Sequence, residues 1–148
     1  MKMKILSLVL AAFLLSGPLF AQKEQPPVGG TPKNFTVPSY KTVTLRNGMK
    51  VTLVPYGQTP KATVRLIVRT GSLNEPAGQV WISDFAADLL LEGTKSKSAQ
   101  AIAEEVAAYG GELFANAGTD QSQLGADVLS EFTPNLVKTM ADVVMNPK

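Results

Sequence analysis

Three short stretches decide the interpretation of this chain: GSLNEPAG at residues 71–78, WISDFAAD at residues 81–88 and LLEGT at residues 90–94. The first stretch carries two glycines and a proline, which is typical of a loop. From residue 80 onward the spacing of apolar residues becomes helical, and it predicts a helix over residues 80–91. The stripe that we expect this helix to bury consists of Ile82, Phe85, Ala86, Leu89 and Leu90.

Strands are predicted upstream of this helix. Residues 42–45 and 50–54 alternate apolar and polar side chains on either side of Asn47-Gly48. We expect a hairpin in which this Asn-Gly pair supplies the two positive-φ positions that a tight turn requires. A third strand is predicted over residues 62–70. Its faces differ, with Val64, Leu66 and Val68 on one and Arg65 and Arg69 on the other.

Downstream, the pattern returns to a helix and then to strands. Ser98 is a good N-cap for a second helix that runs to Tyr109 and stops at Gly110-Gly111. We expect this helix to bury Ile102, Val106 and Tyr109. Two short strands are predicted over residues 112–116 and 122–129, with Gly118-Thr119-Asp120 in the connection.

A last helix is predicted near the end of the chain, with Thr133 as its N-cap and Pro134 at its first helical position. Its inward residues would be Leu136, Val137, Met140, Val143 and Val144. Strands before, between and after helices indicate an α+β fold, with a largely antiparallel sheet packed with helices.

The N-terminal region is different in character. Lys2 and Lys4 precede an apolar run over residues 5–15 that is too short to span a bilayer, so residues 1–21 are predicted to be a cleavable signal peptide. We therefore expect export to the periplasm or the extracellular space. Residues 22–39 are rich in proline and glycine and predict a linker, which leaves residues 40–148 as one domain.

Composition excludes several classes of function. Without residues 1–21 the chain has twelve basic and twelve acidic residues, and it has no basic run, so we expect no nucleic-acid partner. No stable membrane span is expected after signal cleavage. The chain has no cysteine, so an exported form is held together by core packing alone, without disulfides.

The three opening stretches resemble the zinc-site region of the pitrilysin/insulinase family of metallopeptidases. In that family a Gly-Ser-x-x-Glu-Pro-x-Gly loop leads into a helix with the motif His-x-x-Glu-His, which ends in a Gly-Thr pair. Counted back from Gly93-Thr94, the two histidine positions fall on Asp84 and Asp88, and the glutamate position falls on Ala87. The chain contains no histidine and no cysteine, so a histidine-ligated zinc site cannot form. We therefore expect no catalytic residue, no metal and no cofactor.

The resemblance covers about residues 42–147 and includes the second helix, the Gly-Gly stop and the edge strand after it. It is strongest to the exported, zinc-less subunits of bacterial heterodimers in the family. It implies a non-catalytic partner of a zinc-bearing homologue, which helps to close a chamber around an extended peptide substrate. Such subunits contain two homologous domains, and only the first is present here. In the family the third zinc ligand lies in a helix after the Asn-Pro pair that corresponds to Asn146-Pro147, so we expect this domain to be incomplete at its C-terminus. A fragment of a longer protein and a complete short protein both stay open.

Individual residues allow more than one interpretation. Asp84 and Asp88 are four apart on a helix, and two solvated acids are the ordinary explanation, whereas a calcium site or acid/base chemistry would need further ligands or a nucleophile. Glu104-Glu105 is interpreted as exposed and solvated. Trp81 stands where the active family usually has glycine, and either burial in a vacated cleft or contact with substrate or partner explains it.

The same two explanations apply to Phe114, beside the edge strand that pairs with peptide in the family. The resemblance thus makes Trp81, Phe114, Ala115 and Asn116 candidate substrate-binding or partner-binding residues. Two other functions stay open: a stand-alone domain that binds peptide or protein by strand addition, and a part of a metalloendopeptidase that is active only as a complex.

Overall fold

The computed structural model describes residues 26–32 and 34–148. The predicted signal peptide, residues 1–21, lies outside the described residues, and so does the start of the linker. The described part of the linker, up to residue 39, has no helix or strand, and all its residues except the half-buried Pro38 are exposed. The chain divides into two compact units with the boundary between Val54 and Pro55, and each is described by itself.

The first unit contains the predicted hairpin, formed by β1 (Lys41–Thr44) and β2 (Lys50–Leu53). The strands are antiparallel, with Thr44 opposite Lys50. The predicted turn geometry is wrong in one respect, since Gly48 has a φ of 86° but Asn47 does not have a positive φ. The Gly48 amide donates to the Leu45 carbonyl and the Leu45 amide to the Met49 carbonyl. This pattern is a three-residue loop, in which only the last position needs the left-handed conformation.

The second unit is built on a three-stranded antiparallel sheet. Its strands are β3 (Lys61–Val68), β4 (Phe114–Ala117) and β5 (Ser122–Leu129), and β5 lies in the middle. Arg65 is opposite Gly125, and Gly125 is opposite Phe114, so these three residues form one row across the sheet. β4 is therefore an edge strand, with one side unpaired among the residues that the structure describes.

Three helices pack on one face of this sheet: α1 (Ile82–Leu90), α2 (Ala99–Ala108) and α3 (Thr133–Met145). β5 contributes Leu124, Ala126 and Val128, which alternate toward the helices and are buried. The helices contribute the other buried members of the core, Ile102, Val106, Leu136, Met140 and Val143. The predicted α+β fold, with an antiparallel sheet and helices, is confirmed. No helix in the described part of the chain is long and apolar enough to cross a membrane.

Helix ends follow the predicted signals with one exception. The Ser98 side chain accepts a hydrogen bond from the Ala101 amide at 3.2 Å, as an N-cap does, and Gly110 ends α2 with a φ of 82°. Thr133 is not the N-cap of α3. A short 3₁₀ turn over Ser130–Phe132 runs directly into the helix, and the Thr133 hydroxyl donates back to the Ser130 carbonyl instead.

Two predictions about burial are wrong. In α3, Val137 is 49% exposed, and Thr139 is buried on the inner face instead. In α1, the predicted inward residues Ile82, Phe85, Ala86 and Leu89 are exposed, while Ala87 is buried. Leu90 and the next residue, Leu91, pack against the core. The helix thus buries a narrow face of small and medium side chains and leaves its largest apolar side chains outside.

Candidate functional site

The loop before α1 is held against the end of β4. The Ser72 amide donates to the Gly118 carbonyl and the Leu73 amide to the Thr119 carbonyl, each at 3.0 Å. Gly71 permits this approach, because a Cβ at that position would lie 2.2 Å from the Gly118 oxygen. The loop, the start of α1 and the end of the edge strand are therefore brought together in one place.

Glu75 in this loop caps the N-terminus of α1. Its carboxylate accepts hydrogen bonds from the Ser83 amide and the Trp81 amide, both at 3.0 Å. The bond from the Ser83 amide, followed by the bond from the Trp81 amide, lowers the pKa of Glu75 below its ordinary value. This is the physical role of the glutamate in the Glu-Pro dipeptide: an ionised carboxylate satisfies amides that a helix start leaves free.

Trp81 immediately precedes α1 and has a left-handed backbone conformation, with φ 75° and ψ 5°. It is the sole residue other than glycine with a positive φ among the described residues. The conformation is unfavourable for a bulky side chain and suits glycine. The side chain is 64% exposed, so the interpretation as a buried aromatic is wrong. Contact with substrate or partner stays a prediction.

The three motif positions on α1 differ in burial. Ala87 is buried, with 6% of its surface exposed, Asp84 is half-buried and Asp88 is exposed. Zinc in proteins is held by histidine, cysteine and carboxylate ligands, four in total or three with a water. In the described part of the chain, no three His, Cys, Asp or Glu side chains come together in a metal-binding arrangement. The residues present at the motif do not fit the family's zinc ion.

A groove of about 350 Å³ lies between the loop and the end of β4. Its walls combine one aromatic side chain, two carboxylates and small or backbone-rich positions, namely Ser72, Glu75, Val80, Trp81, Asp84, Ala117 and Gly118. Two residues named from the sequence, Trp81 and Asp84, are thus brought together at this groove. Asp88 and Ala87 do not line this groove.

The three candidate residues on β4, Phe114, Ala115 and Asn116, do not line the groove. Ala115 packs against the core on the helix side of the sheet. Phe114 and Asn116 are on the opposite face, where Phe114 is half-buried and Asn116 exposed. The Arg65 guanidinium lies over the Phe114 ring, with its Cζ 4.6 Å from the ring centre. None of the candidate binding roles is tested by this placement, and they stay predictions.

Arg65 contacts the edge strand β4 on the sheet face that lies opposite the helices. It crosses over Gly125, where a Cβ would lie 2.7 Å from its Cδ, and its Nη1 is 3.2 Å from Asp127 Oδ1. The pKa of Asp127 is lowered, first by a hydrogen bond from Thr63 and also by the charge of Arg65. Arg65 was predicted on a strand face with Arg69, but its contact with Phe114 was not predicted. Gly125, a glycine inside a predicted strand, was the available signal.

The prediction that Glu105 is exposed and solvated is wrong. Glu105 is half-buried and not simply solvated, because its carboxylate accepts hydrogen bonds from the Thr139 hydroxyl at 2.8 Å and the Tyr109 hydroxyl at 2.9 Å, and pairs with Lys97. The bond from Lys97 is the largest cause of its lowered pKa. Glu104 is exposed as predicted, with one hydrogen bond from Gln100.

Comparison with known proteins gives proteases and subunits of peptidases. The family described as Insulinase (Peptidase family M16) matches residues 50–148. The probable mitochondrial-processing peptidase subunit beta of Schizosaccharomyces pombe is 34% identical over 112 residues, which cover 74% of this chain and 24% of that protein. The chain spans about a quarter of the length of the first curated relatives that it matches.

Solved structures agree with this match. Pitrilysin has a TM-score of 0.64 and 29% identity, over 74% of this chain and 12% of that one. An inactive peptidase M16 domain from Pseudomonas fluorescens has a TM-score of 0.63 and 25% identity, over 74% of this chain and 27% of that one. The resemblance inferred from the motifs is confirmed, and the chain belongs to the insulinase family of peptidases, M16.

Proposed function

We propose, from this membership of the insulinase family, that the chain is an exported, non-catalytic domain that binds extended peptide beside a zinc-bearing homologue. Export rests on the signal-like residues 1–21, which lie outside the described structure. The periplasm or the extracellular space is the proposed location. The chain spans only about a quarter of its curated relatives, so the activity of a whole protein that contains it belongs to this proposal as well.

One observation carries the non-catalytic part. The general-base position of the family motif is Ala87, which has no titratable group and is buried against the domain. The two ligand positions are Asp84 and Asp88, and no histidine exists elsewhere in the chain to replace them. A hydrolytic step would therefore need both its metal and its base from another polypeptide.

The surface of α1 supports a protein partner. Ile82, Phe85 and Leu89 lie at helical spacing and are 48%, 67% and 60% exposed. An exposed apolar stripe of large side chains is typical of a protein interface. One relative is named as a subunit of a processing peptidase, and one structural neighbour is named as an inactive family domain. Both names are compatible with a non-catalytic chain that works beside another member of the family.

The free side of β4 supports peptide binding. An edge strand offers backbone amides and carbonyls to an added strand, and an extended peptide uses these groups as a strand of the sheet would. Arg65 contacts Phe114 on the sheet face opposite the helices, so this contact leaves the backbone groups at the open side of β4 free. Asn116 is exposed on this strand and is available to contact a bound peptide.

Metal analysis and affinity purification test the proposal together. The purified protein should retain no stoichiometric zinc after dialysis and should not hydrolyse peptides alone. One equivalent of tightly held zinc, lost in the double variant Asp84→Ala with Asp88→Ala, contradicts the proposal. Purification from the native cells through a tag should recover a polypeptide with the sequence His-x-x-Glu-His.

The open edge of β4 also favours a second candidate, a stand-alone domain that binds peptides or proteins by strand addition. Affinity purification separates the two functions. Recovery of an unrelated protein, with no zinc-bearing homologue present, supports the stand-alone domain. Zinc-dependent cleavage by the purified complex, but by neither component alone, supports a part of a metalloendopeptidase that is active only as a complex.

A further inference from the structure

The groove at the start of α1 has a distinct chemical character. Glu75 and Asp84 contribute two carboxylates to its walls, Trp81 contributes an exposed indole ring, and no lysine or arginine lines it. Glu75 is already engaged by the Trp81 and Ser83 amides. Asp84, half-buried and in the first turn of the helix, is therefore the carboxylate available to a ligand.

An aromatic face beside a carboxylate selects for a cation. The face of an indole attracts an ammonium or guanidinium group within about 6 Å of its centre, and tryptophan is the best of the aromatic residues in this respect. Val80 and the ring of Trp81 offer apolar surface to the aliphatic stem of such a side chain. The groove is thus complementary to a lysine or an arginine in charge and in its apolar surface.

The position of the groove indicates where this cation comes from. Two of its walls, Ala117 and Gly118, are the last residue of the edge strand and the residue after it. A peptide that pairs with β4 runs past this point, and alternate side chains of an added strand point to the same side. One side chain of the peptide therefore meets the groove.

We propose that the groove receives one lysine or arginine side chain of an extended peptide paired with β4. This inference rests on the proposed peptide-binding function and specifies its substrate class. Trp81 and Asp84 are the specificity-determining residues, and the indole ring is the platform. The volume of about 350 Å³ is large enough for one such side chain.

The single tryptophan of the chain makes the test direct, because Trp81 fluorescence reports on this groove alone. The probes are capped ten-residue peptides of valine, threonine and serine, with one lysine moved along the sequence, and matched peptides with norleucine in its place. At the position that reaches the groove, lysine should bind about tenfold more tightly than norleucine and change the tryptophan emission.

Two matched variants locate the contact. Asp84→Asn should reduce the preference for lysine to about threefold or less, whereas Asp88→Asn removes an equal charge one turn away, outside the groove, and should leave the preference unchanged. Trp81→Gly suits the left-handed backbone and removes the ring. With a fluorescently labelled peptide, it should also lower the preference for lysine.

The outcomes separate this inference from the function on which it rests. Equal affinity for lysine and norleucine peptides at every position overturns the cation pocket and leaves peptide binding by β4 intact. An equal loss in Asp84→Asn and Asp88→Asn also overturns it, because the effect is then one of overall charge. Failure of all peptides to bind overturns the inference and the peptide-binding function together.

Discussion

The two ends of α1 differ in exposure and in hydrogen bonding. At its N-terminus, which we call the open end and define as residues 78–81, Val80 and Trp81 are 68% and 64% exposed. At its C-terminus, which we call the anchored end and define as residues 93–98, Thr94 is 3% exposed and its hydroxyl accepts from the Lys97 amide at 3.0 Å.

Further bonds tie the anchored end to α3. The Lys95 amide donates to the Asn146 carbonyl, and the Lys148 amide donates to the Gly93 carbonyl. The Ser96 hydroxyl donates to Asp142, whose pKa is lowered first by a hydrogen bond from Asn146. The helix α1 is thus held by hydrogen bonds beyond its C-terminus and lines a groove at its N-terminus. Binding residues on a rigid scaffold are common in proteins.

The largest expected effect is at the anchored end. Gly93→Ala should destabilise the protein by about 3 kcal/mol, because φ there is 123° and a Cβ would lie 2.8 Å from the Lys97 carbonyl oxygen. Gly78→Ala is the matched change at the open end, where φ is 89° but nothing lies within 4 Å. It should cost about 1 kcal/mol. Urea denaturation measures both, and equal losses would contradict the proposed difference between the ends.

A second expected effect concerns Glu105, which joins the anchored end to α2 and α3. Glu105→Gln should cost about 2 kcal/mol at pH 7, since it weakens the bonds with Lys97 and with the buried Thr139. Glu104→Gln, the neighbouring exposed change, should stay within about 0.5 kcal/mol of the original protein. Similar costs for the two variants would show that the bonds of Glu105 do not contribute to stability.

The pH dependence of this effect has a definite sign. The pKa of Glu105 is lowered in the folded state from its ordinary value of 4.5. Its contribution is therefore present above pH 4.5 and is lost as the pH falls through the folded-state pKa. The difference in unfolding free energy between the original protein and Glu105→Gln should shrink over that range. A difference that grows on acidification would contradict the assignment.

The smallest expected effect is at the open end. Trp81→Gly should stabilise the protein by about 0.5 kcal/mol, because relief of the left-handed conformation exceeds the entropy that glycine loses on folding. Val80→Gly, at an exposed neighbour without a positive φ, should destabilise it. Thermal unfolding of the two variants compares them. A loss of stability in Trp81→Gly would show that contacts of the ring contribute more than the backbone strain costs.

The order of elements was predictable because local signals are strong in this chain. The strand at residues 122–129 was predicted with the bounds that it has, since turn residues precede it and apolar residues alternate along it. The side of α1 that is buried was not predictable from periodicity. Two faces of that helix are apolar, and it packs on β4 and β5 with Ala87 buried, whereas Phe85 and Leu89 stay exposed.

The site was predictable only as positions along the chain. The motif count identified Asp84, Ala87 and Asp88, but their different burial depends on how α1 lies against β4. The capping role of Glu75 and the three hydrogen bonds of Glu105 join residues that are apart in sequence or on different helices. No local pattern encodes these contacts, so charge alone led to the incorrect prediction that Glu105 is simply solvated.

One experiment tests the central claim, which is peptide binding at β4 without cleavage. The protein is mixed with zinc and the lysine-containing peptide, while NMR follows amide exchange at residues 114–117 and mass spectrometry follows the peptide. Slower exchange at β4 with the peptide intact is the predicted result. Zinc-dependent hydrolysis that Asp84→Ala with Asp88→Ala abolishes, or exchange at β4 that the peptide does not change, would contradict the account.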